Sequence, residues 1–316
     1  MAALDYLLDT FYLKKPIEIV KQTGSEWVED KCPTLGAALA YYTVFSLAPL
    51  ILLLMSVFSL FMHSDKQKNG GHAQEQIKAQ VGQFAGSSGA EVVGNIISAN
   101  AEKPKAGVIG TVVGVVVALF GASGVFGQLQ ESLNTIWGVK AKPGQGVMGY
   151  VKARFISFGM VGGVCFLLIV SVTVTAVIKG FTDKLDHLLP GGSVLTMIVS
   201  ILLNFAVITV LFGMIFKYLP DAKIAWSDVW IGAALTTVLF LIGKQALGLY
   251  LGSGAAGSAY GAASAMISTF VWVYYSSQIM LFGAEFTQVY ANAYGSHIVP
   301  EDHAVRVEKK EVEVPS

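Results

Sequence analysis

The chain has 316 residues, of which 54% are hydrophobic and 13% charged, and its 21 basic and 21 acidic side chains give a net charge of zero. Soluble domains carry about 25% charged residues, so this composition predicts a membrane protein. A net charge of zero argues against a protein that gathers nucleic acid by bulk positive charge. The two cysteines, Cys32 and Cys165, are too few for a disulfide framework or a cysteine metal knuckle.

Residues 1–33 are predicted to form a cytoplasmic segment at the membrane surface. Apolar residues recur at helical spacing over the first twelve positions with charged residues between them, which indicates a short amphipathic helix. Pro16 is expected to end or bend this helix, because proline cannot donate a backbone hydrogen bond. Asp5 and Asp9 interrupt the apolar run, so the segment does not fit a secretion signal.

Six apolar stretches are long enough to cross a bilayer core, which needs about 20 helical residues. We place them near 34–62, 107–127, 157–178, 193–216, 228–250 and 263–285. A long outer loop covers 63–106, and the tail at 292–316 is predicted to be disordered because too little of it is apolar. The predicted fold class is all-α: a polytopic membrane protein whose domain at 34–291 is a bundle of six transmembrane helices.

The distribution of lysine and arginine predicts that both termini face the cytoplasm. With the N-terminus inside, thirteen basic residues fall in the inner segments and seven in the outer ones, and Lys244 inside a span is the twenty-first. Five of the seven outer lysines share one loop. An excess of basic residues in inner loops is the usual signal of orientation.

The sixth span carries a polar stripe. At 100° per residue, five polar side chains fall within about 40° of one line along the helix surface: Tyr274, Gln278, Glu285, Gln288 and Asn292. Polar groups inside a membrane are costly and usually face the bundle interior, so Glu285 and Gln278 are candidates for lining a polar path or a headgroup site. The alternative is that Glu285 marks the inner interface and that Gln278 bonds a neighbouring helix, worth about 0.6 kcal/mol.

Two other spans contribute candidate residues. Lys244, in the fifth span, costs about 2.5–3.5 kcal/mol at a helix centre and is expected to reach the outer surface or a polar cavity. It lies too deep to pair directly with Glu285. Gln128 and Glu131 share a face where the second span continues past the membrane. If the spans are neighbours, Glu131 and Glu285 would repel each other or bind a cation between them.

The first span contains "AYYTVFSLAPL", a run with hydroxyls and a proline. Pro49 deprives the carbonyl four residues earlier of its usual hydrogen-bond partner, so we expect a kink in the helix. Ser46 is near enough to bond the backbone groups that the proline frees. Tyr41 is expected to point its hydroxyl into the same cavity as Glu285. The alternative is that Tyr41 belongs to an aromatic belt and that the proline is merely tolerated.

Four stretches in this order resemble the YihY/virulence factor BrkB family, historically labelled ribonuclease BN-like. They are "AALAYYTVFSLAPLILLL", "GASGVFGQLQESLNTIWGV", "FKYLPDAKIAWSDVWIGA" and "YGAASAMISTFVWVYYSSQIMLFGAEF". The resemblance runs from about 30 to 291. It implies a bacterial inner-membrane protein of six helices, and transport of an envelope lipid is suggested for some members.

The residues themselves favour transport over catalysis. We find no metal-binding, nucleophile or nucleotide-binding motif, so we predict no catalytic residues, metal or cofactor, and the residues argue against a ribonuclease. The prediction is a transporter or flippase-like protein. Its expected partners are membrane lipids and a lipid-linked envelope precursor, without nucleic acid, and a homo-oligomer is left open. The alternative is a non-transporting membrane scaffold or envelope-assembly factor.

Overall fold

The computed structural model describes residues 14–61, 124–142, 192–252 and 264–307, with a few isolated positions between 75 and 121. Most of the outer loop, most of the span near 107–127 and all of the span near 157–178 lie outside these residues. The described helices are α1 (Lys14–Glu29), α2 (Cys32–Phe61), α3 (124–136), α4 (Gly192–Tyr218), α5 (Trp226–Gly252) and α6 (Ser264–Ala293).

The described helices agree with the predicted all-α class. α2, α4 and α5 begin and end within a few residues of the predicted spans, whereas α6 continues to Ala293, eight residues beyond 285. Among the described residues, two segments are long and apolar enough to cross a membrane, Ile201–Tyr218 and Trp226–Leu251. The other four predicted spans stay predictions.

α1 begins at Lys14 and runs past Pro16 to Glu29, so the predicted amphipathic helix before Pro16 stays a prediction. Pro16 lies in the first turn, where a backbone N–H has no partner inside the helix, so the proline displaces no hydrogen bond. Ile19 and Thr23 are buried on the face that packs against α6, and Val20 is exposed. Residues 1–13 lie outside the described residues.

α5 and α6 pack through a reciprocal pair of glycines and threonines. α5 carries "GAALT" from Gly232 to Thr236, and α6 carries "GAEFT" from Gly283 to Thr287. A methyl group added to Gly232 would overlap the Thr287 side chain, and one added to Gly283 would overlap Thr236. Each threonine hydroxyl donates to the glycine carbonyl four residues earlier on its own helix, at 2.7 Å. The two helices are therefore antiparallel in a fixed register.

This register assigns depths along the bundle. Because Gly232 lies opposite Thr287 and Thr236 opposite Gly283, Glu285 is level with Ala234. Ala234 is eight residues into the apolar segment that begins at Trp226, or about 12 Å along the axis. Lys244 is ten residues further on, about 15 Å deeper. Glu285 and Lys244 thus lie at different depths, as predicted.

Short strands close one end of the bundle. β1 (Val139–Ala141) pairs antiparallel with β4 (Ala304–Arg306), and β2 (Ala222–Lys223) pairs with β3 (Val299–Pro300). Residues 299–306 therefore differ from the disordered tail predicted for 292–316. Their backbone groups find partners in β1 and β2, a long-range pairing that composition does not reveal. Residues 308–316 lie outside the described residues.

A cluster of buried apolar residues joins these strands, called the strand cap below, to the helix ends. Its members come from α2, α3, α4, α5, α6 and the strands, and its largest fully buried apolar side chains are Phe216, Leu133, Leu219, Leu281 and Val229. Trp137 packs edge-on against Phe216, with ring centroids 6.2 Å apart. The described core therefore lies at the end of the bundle where the chain turns between α4 and α5.

Gly283→Ala is expected to destabilise the protein although alanine favours a helix over glycine by about 1 kcal/mol. The added methyl overlaps Thr236, and overpacking a core costs about 1–3 kcal/mol. Thermal unfolding in detergent should show a lower Tm for this variant, partly restored by adding Thr236→Ala, which removes the hydroxyl and the methyl that the new group overlaps. Gly248→Ala is the control, because among the described residues no atom outside the helix's own backbone lies within 4 Å of the added methyl. Equal Tm values for the two alanine variants would contradict the packing described here.

Candidate functional site

Glu285 lies against the first turn of α2. Its side chain is fully buried, and the Cys32 thiol donates to Glu285 Oε1 at 3.4 Å. A tight turn at Lys31, whose φ is 54°, starts α2 at Cys32. Removing a carboxylate from water costs several kcal/mol. The positive end of the α2 dipole offsets part of this cost, because anions are stabilised at helix N-termini.

Gln278 approaches the same turn from one side of Glu285. Its Nε2 donates to the Cys32 carbonyl at 3.4 Å, and its Oε1 is buried with no hydrogen-bond partner among the described residues. A side chain at Gly36 would overlap the Gln278 amide, so glycine is what allows the two helices to approach here. Cys32, Gly36, Gln278 and Glu285 are called the Glu285 site below.

The predicted stripe on α6 is not uniform. Glu285 is fully buried, Gln278, Gln288 and Asn292 are half-buried, and Tyr274 is 39% exposed. The structure therefore brings Gln278 and Glu285 together at Cys32, but it leaves Tyr274 on the surface.

The candidates on α2 do not reach the Glu285 site. The Tyr41 side chain is 55% exposed, with its ring 4.7 Å from that of Phe45. Ser46 is buried, but its hydroxyl donates to the carbonyl of Thr43 at 2.9 Å and not to the carbonyl that Pro49 frees. α2 continues through Pro49 to Phe61, so the proline does not end the helix. The kink stays a prediction.

The remaining candidates also lie apart from Glu285. Glu131 is exposed, so it and the buried Glu285 occupy different environments, and the predicted shared cation site gains no support. Gln128 is half-buried and interacts with Ser132 one turn along α3. Lys244 is half-buried on α5. Among the described residues, no group of three His, Cys, Asp or Glu side chains is placed to hold a metal ion.

Asp221 is a polar centre that the sequence interpretation missed. Its Oδ1 accepts from Gln130 Nε2 at 3.0 Å and lies 3.0 Å from His303 Nε2, and its Oδ2 accepts from Asn134 Nδ2 at 2.8 Å. Its backbone N–H donates to Asn134 Oδ1 at 2.8 Å, and its carbonyl accepts from the Glu301 N–H at 2.9 Å. One aspartate thus joins α3, the loop after α4 and the C-terminal strands.

Asp228 makes a second connection in the cap. Its Oδ2 accepts from both the backbone N–H and the hydroxyl of Ser296 at 3.0 Å, and its Oδ1 accepts from Ser227 at 3.1 Å. These bonds join the start of α5 to the turn after α6. Both aspartates stand in "FKYLPDAKIAWSDVWIGA". Their position at helix ends could have marked them as capping residues, but their distant partners could not have been predicted.

A surface ion pair also joins β2 to the C-terminal strands. Lys223 Nζ lies 2.7 Å from Asp302 Oδ1 and 3.6 Å from Glu301 Oε2. The hydrogen bond with Asp302 raises the pKa of Lys223, and the same bond lowers the pKa of Asp302. The pair's contribution to stability is therefore retained at neutral pH. It is lost when the pH falls through the lowered pKa of Asp302 or rises through the raised pKa of Lys223.

Comparison with known proteins decides the family. Residues 23–308 match the family described as virulence factor BrkB. This chain belongs to the BrkB family. It is 25% identical over 279 residues to a UPF0761 membrane protein of Actinobacillus pleuropneumoniae, covering 87% of this chain and 94% of that protein. A UPF0761 membrane protein of Pseudoalteromonas translucida is 26% identical over 298 residues, covering 88% and 90%.

A third BrkB relative is longer. The UPF0761 membrane protein of Ralstonia nicotianae is 24% identical over 275 residues, covering 81% of this chain and 55% of that protein. No solved structure matches this chain. The predicted family resemblance is therefore confirmed, and the chain is an integral membrane protein of the BrkB family.

Asp221→Ala is expected to loosen the C-terminal strands. The variant leaves Gln130, Asn134 and His303 without their acceptor, and an unsatisfied buried group costs about 1–3 kcal/mol. Hydrogen exchange of the amides at 299–307 should become roughly 5- to 150-fold faster, which is the rate equivalent of that cost. Lys140→Ala is the control, because it truncates an exposed side chain on β1. Equal exchange in the two variants would contradict the assigned role.

Proposed function

We propose that this BrkB-family protein is a transporter or flippase-like protein that moves an envelope lipid, or another substrate with a polar headgroup, across the bacterial inner membrane. One observation carries the proposal. Glu285 is fully buried, and it lies level with Ala234 in the α5 segment that is long and apolar enough to cross the membrane. Ionisable side chains at such depths are rare and mark substrate or ion paths.

The contacts of Glu285 suit a site that opens and closes. The Gln278 amide lies 3.4 Å from the Cys32 carbonyl, which is long for an N–H···O hydrogen bond. The Cys32 thiol, which donates to Glu285 Oε1, is a weak donor. Separating these atoms would lose little hydrogen-bond energy. It would give the Glu285 carboxylate and the Gln278 amide to a polar headgroup, whose acyl chains stay in the bilayer.

The remaining candidate groups have roles at other depths in this proposal. Lys244, about 15 Å deeper along α5, would supply a positive charge to an anionic headgroup that has passed the Glu285 site. The protein acts without an enzymatic step and without a cofactor. Its partners are membrane lipids and a lipid-linked envelope precursor, not nucleic acid, and its termini lie in the cytoplasm.

The alternative is a membrane scaffold or envelope-assembly factor that moves nothing. The strand cap favours it, because Asp221 and Asp228 join five segments of the chain into one fixed surface. A scaffold needs such a surface, whereas a transporter needs two conformations. The two functions differ in whether the protein speeds lipid exchange between leaflets.

Glu285→Gln is expected to abolish lipid exchange. Vesicles would hold a fluorescent phosphatidylethanolamine or phosphatidylglycerol, and a membrane-impermeant reductant would report how fast the inner-leaflet probe reaches the outside. The wild type should exceed protein-free vesicles, and Glu285→Gln should fall at least tenfold toward them, because the polar headgroup loses its contact with the carboxyl group. Glu29→Gln, at an exposed position near the end of α1, is the matched control.

The outcomes separate the proposals. If the wild type exchanges neither probe faster than protein-free vesicles, the flippase proposal fails for these lipids and the scaffold is favoured. If the wild type exchanges lipid and Glu285→Gln does so equally well, transport stands but the Glu285 site is not its path.

A further inference from the structure

Exposed aromatic rings gather where α4 ends and α5 begins. Tyr218 packs edge-on against Trp226 with ring centroids 5.8 Å apart, and Trp226 stacks on Trp230 at 5.6 Å. The exposed fractions of the three side chains are 55%, 39% and 42%. Large rings this exposed are not explained by packing within the described chain.

A fourth exposed ring lies at the same level, directly after the end of α6. The antiparallel register that sets Gly232 opposite Thr287 brings the end of α6 level with Trp226. Tyr294, directly after α6, is 50% exposed. The bonds from Ser296 to Asp228 fix this end of α6 beside the start of α5. Tyr218, Trp226, Trp230 and Tyr294 are called the aromatic rim below.

A lysine stands within the rim. Lys217 Nζ lies 5.8 Å from the centroid of the Trp226 ring and donates to the Ile224 carbonyl at 2.5 Å. An ammonium group has three N–H donors, so it can bind an anionic oxygen in addition to this carbonyl. The rim therefore combines flat apolar rings, phenolic and indole polar atoms and a positive charge.

The surfaces on either side of the rim differ in polarity. Toward the middle of α5, the exposed side chains include Ile231, Val238 and Ile242. Beyond the rim, in the cap, the exposed groups include Lys223 and Asp302. The two apolar segments long enough to cross a membrane end at Tyr218 and begin at Trp226.

We propose that the aromatic rim and Lys217 form a lipid-anchoring surface that takes the phosphate and glycerol region of phospholipids and fixes the depth of the bundle. Tryptophan and tyrosine favour this region of a bilayer because their rings are apolar and their edges form hydrogen bonds. Lys217 would contact the lipid phosphate. The anchor leaves the strand cap in water and sets the Glu285 site about 12 Å below the interface.

The five tryptophans of the chain make the proposal measurable. All five are described, and Trp226 and Trp230 are exposed, whereas Trp137 and Trp272 are buried and Trp27 is half-buried. Tryptophan fluorescence of the full chain would be recorded in vesicles of phospholipids brominated either near the headgroup or near the end of the acyl chains. The test variant is Trp226→Phe with Trp230→Phe, which keeps two aromatic rings. Trp272→Phe is the control.

Bromine near the headgroup should quench the wild type and the control more strongly than bromine near the chain ends, and the double variant should lose most of that difference. Stronger quenching of Trp226 and Trp230 by the deep bromine would place the rim in hydrocarbon and overturn the proposal. Absence of quenching at both depths would mean that protein, such as a second copy, covers the rim, which also overturns it.

Lys217 has a test of its own. Lys217→Met should bind phosphatidylglycerol at least several-fold more weakly than the wild type in native mass spectrometry, because the lipid phosphate loses its cation. Lys140→Met, on an exposed strand residue of the cap, is the matched control. Equal retention of phosphatidylglycerol by the two variants would remove Lys217 from the anchoring surface.

Discussion

The crossing of α5 and α6 is the constraint on which the rest of the described structure depends. Glycine on each helix makes room for threonine on the other, and each threonine hydroxyl bonds back to its own helix, so no polar group is left over at the contact. In a membrane, lipid removes the hydrophobic driving force for the association of helices. Helices pack closely there through small residues and through hydroxyl groups that form hydrogen bonds. This crossing sets Glu285 level with Ala234 and Tyr294 level with Trp226, and it is joined by the bonds from Ser296 to Asp228.

The chain places its polar groups in two environments. In the cap, Asp221 and Asp228 are satisfied by several short hydrogen bonds from neighbouring segments. At the Glu285 site, polar atoms of Gln278 and Glu285 meet α2 through contacts of 3.4 Å. The first arrangement fits a rigid closure, and the second fits a site whose contacts can be exchanged for those of a substrate.

Features that depend on local pattern were predictable from the sequence. The apolar runs predicted α2, α4 and α5 within a few residues. The polar stripe on the sixth span singled out Glu285, but left open whether it faces the bundle interior or marks the inner interface. Features that depend on distant contacts were not. Residues 299–306 have no strand pattern of their own and are ordered by pairing with β1 and β2. Asp221 has no distinctive spacing, and its partners lie as far as 91 residues away. Tyr41 was assigned to a cavity from helical spacing alone, which cannot tell a face toward protein from a face toward lipid.

The central claim is that the Glu285 site binds the headgroup of a membrane substrate. Native mass spectrometry of gently solubilised wild type and Glu285→Gln, purified from the same membranes, tests it most directly. We expect a specific lipid or lipid-linked adduct on the wild type that the substitution removes, and the mass of this adduct would identify the substrate class. Bulk lipid alone, bound equally by both proteins, would show that the Glu285 site binds no headgroup and that Glu285 is a packing residue at the start of α2.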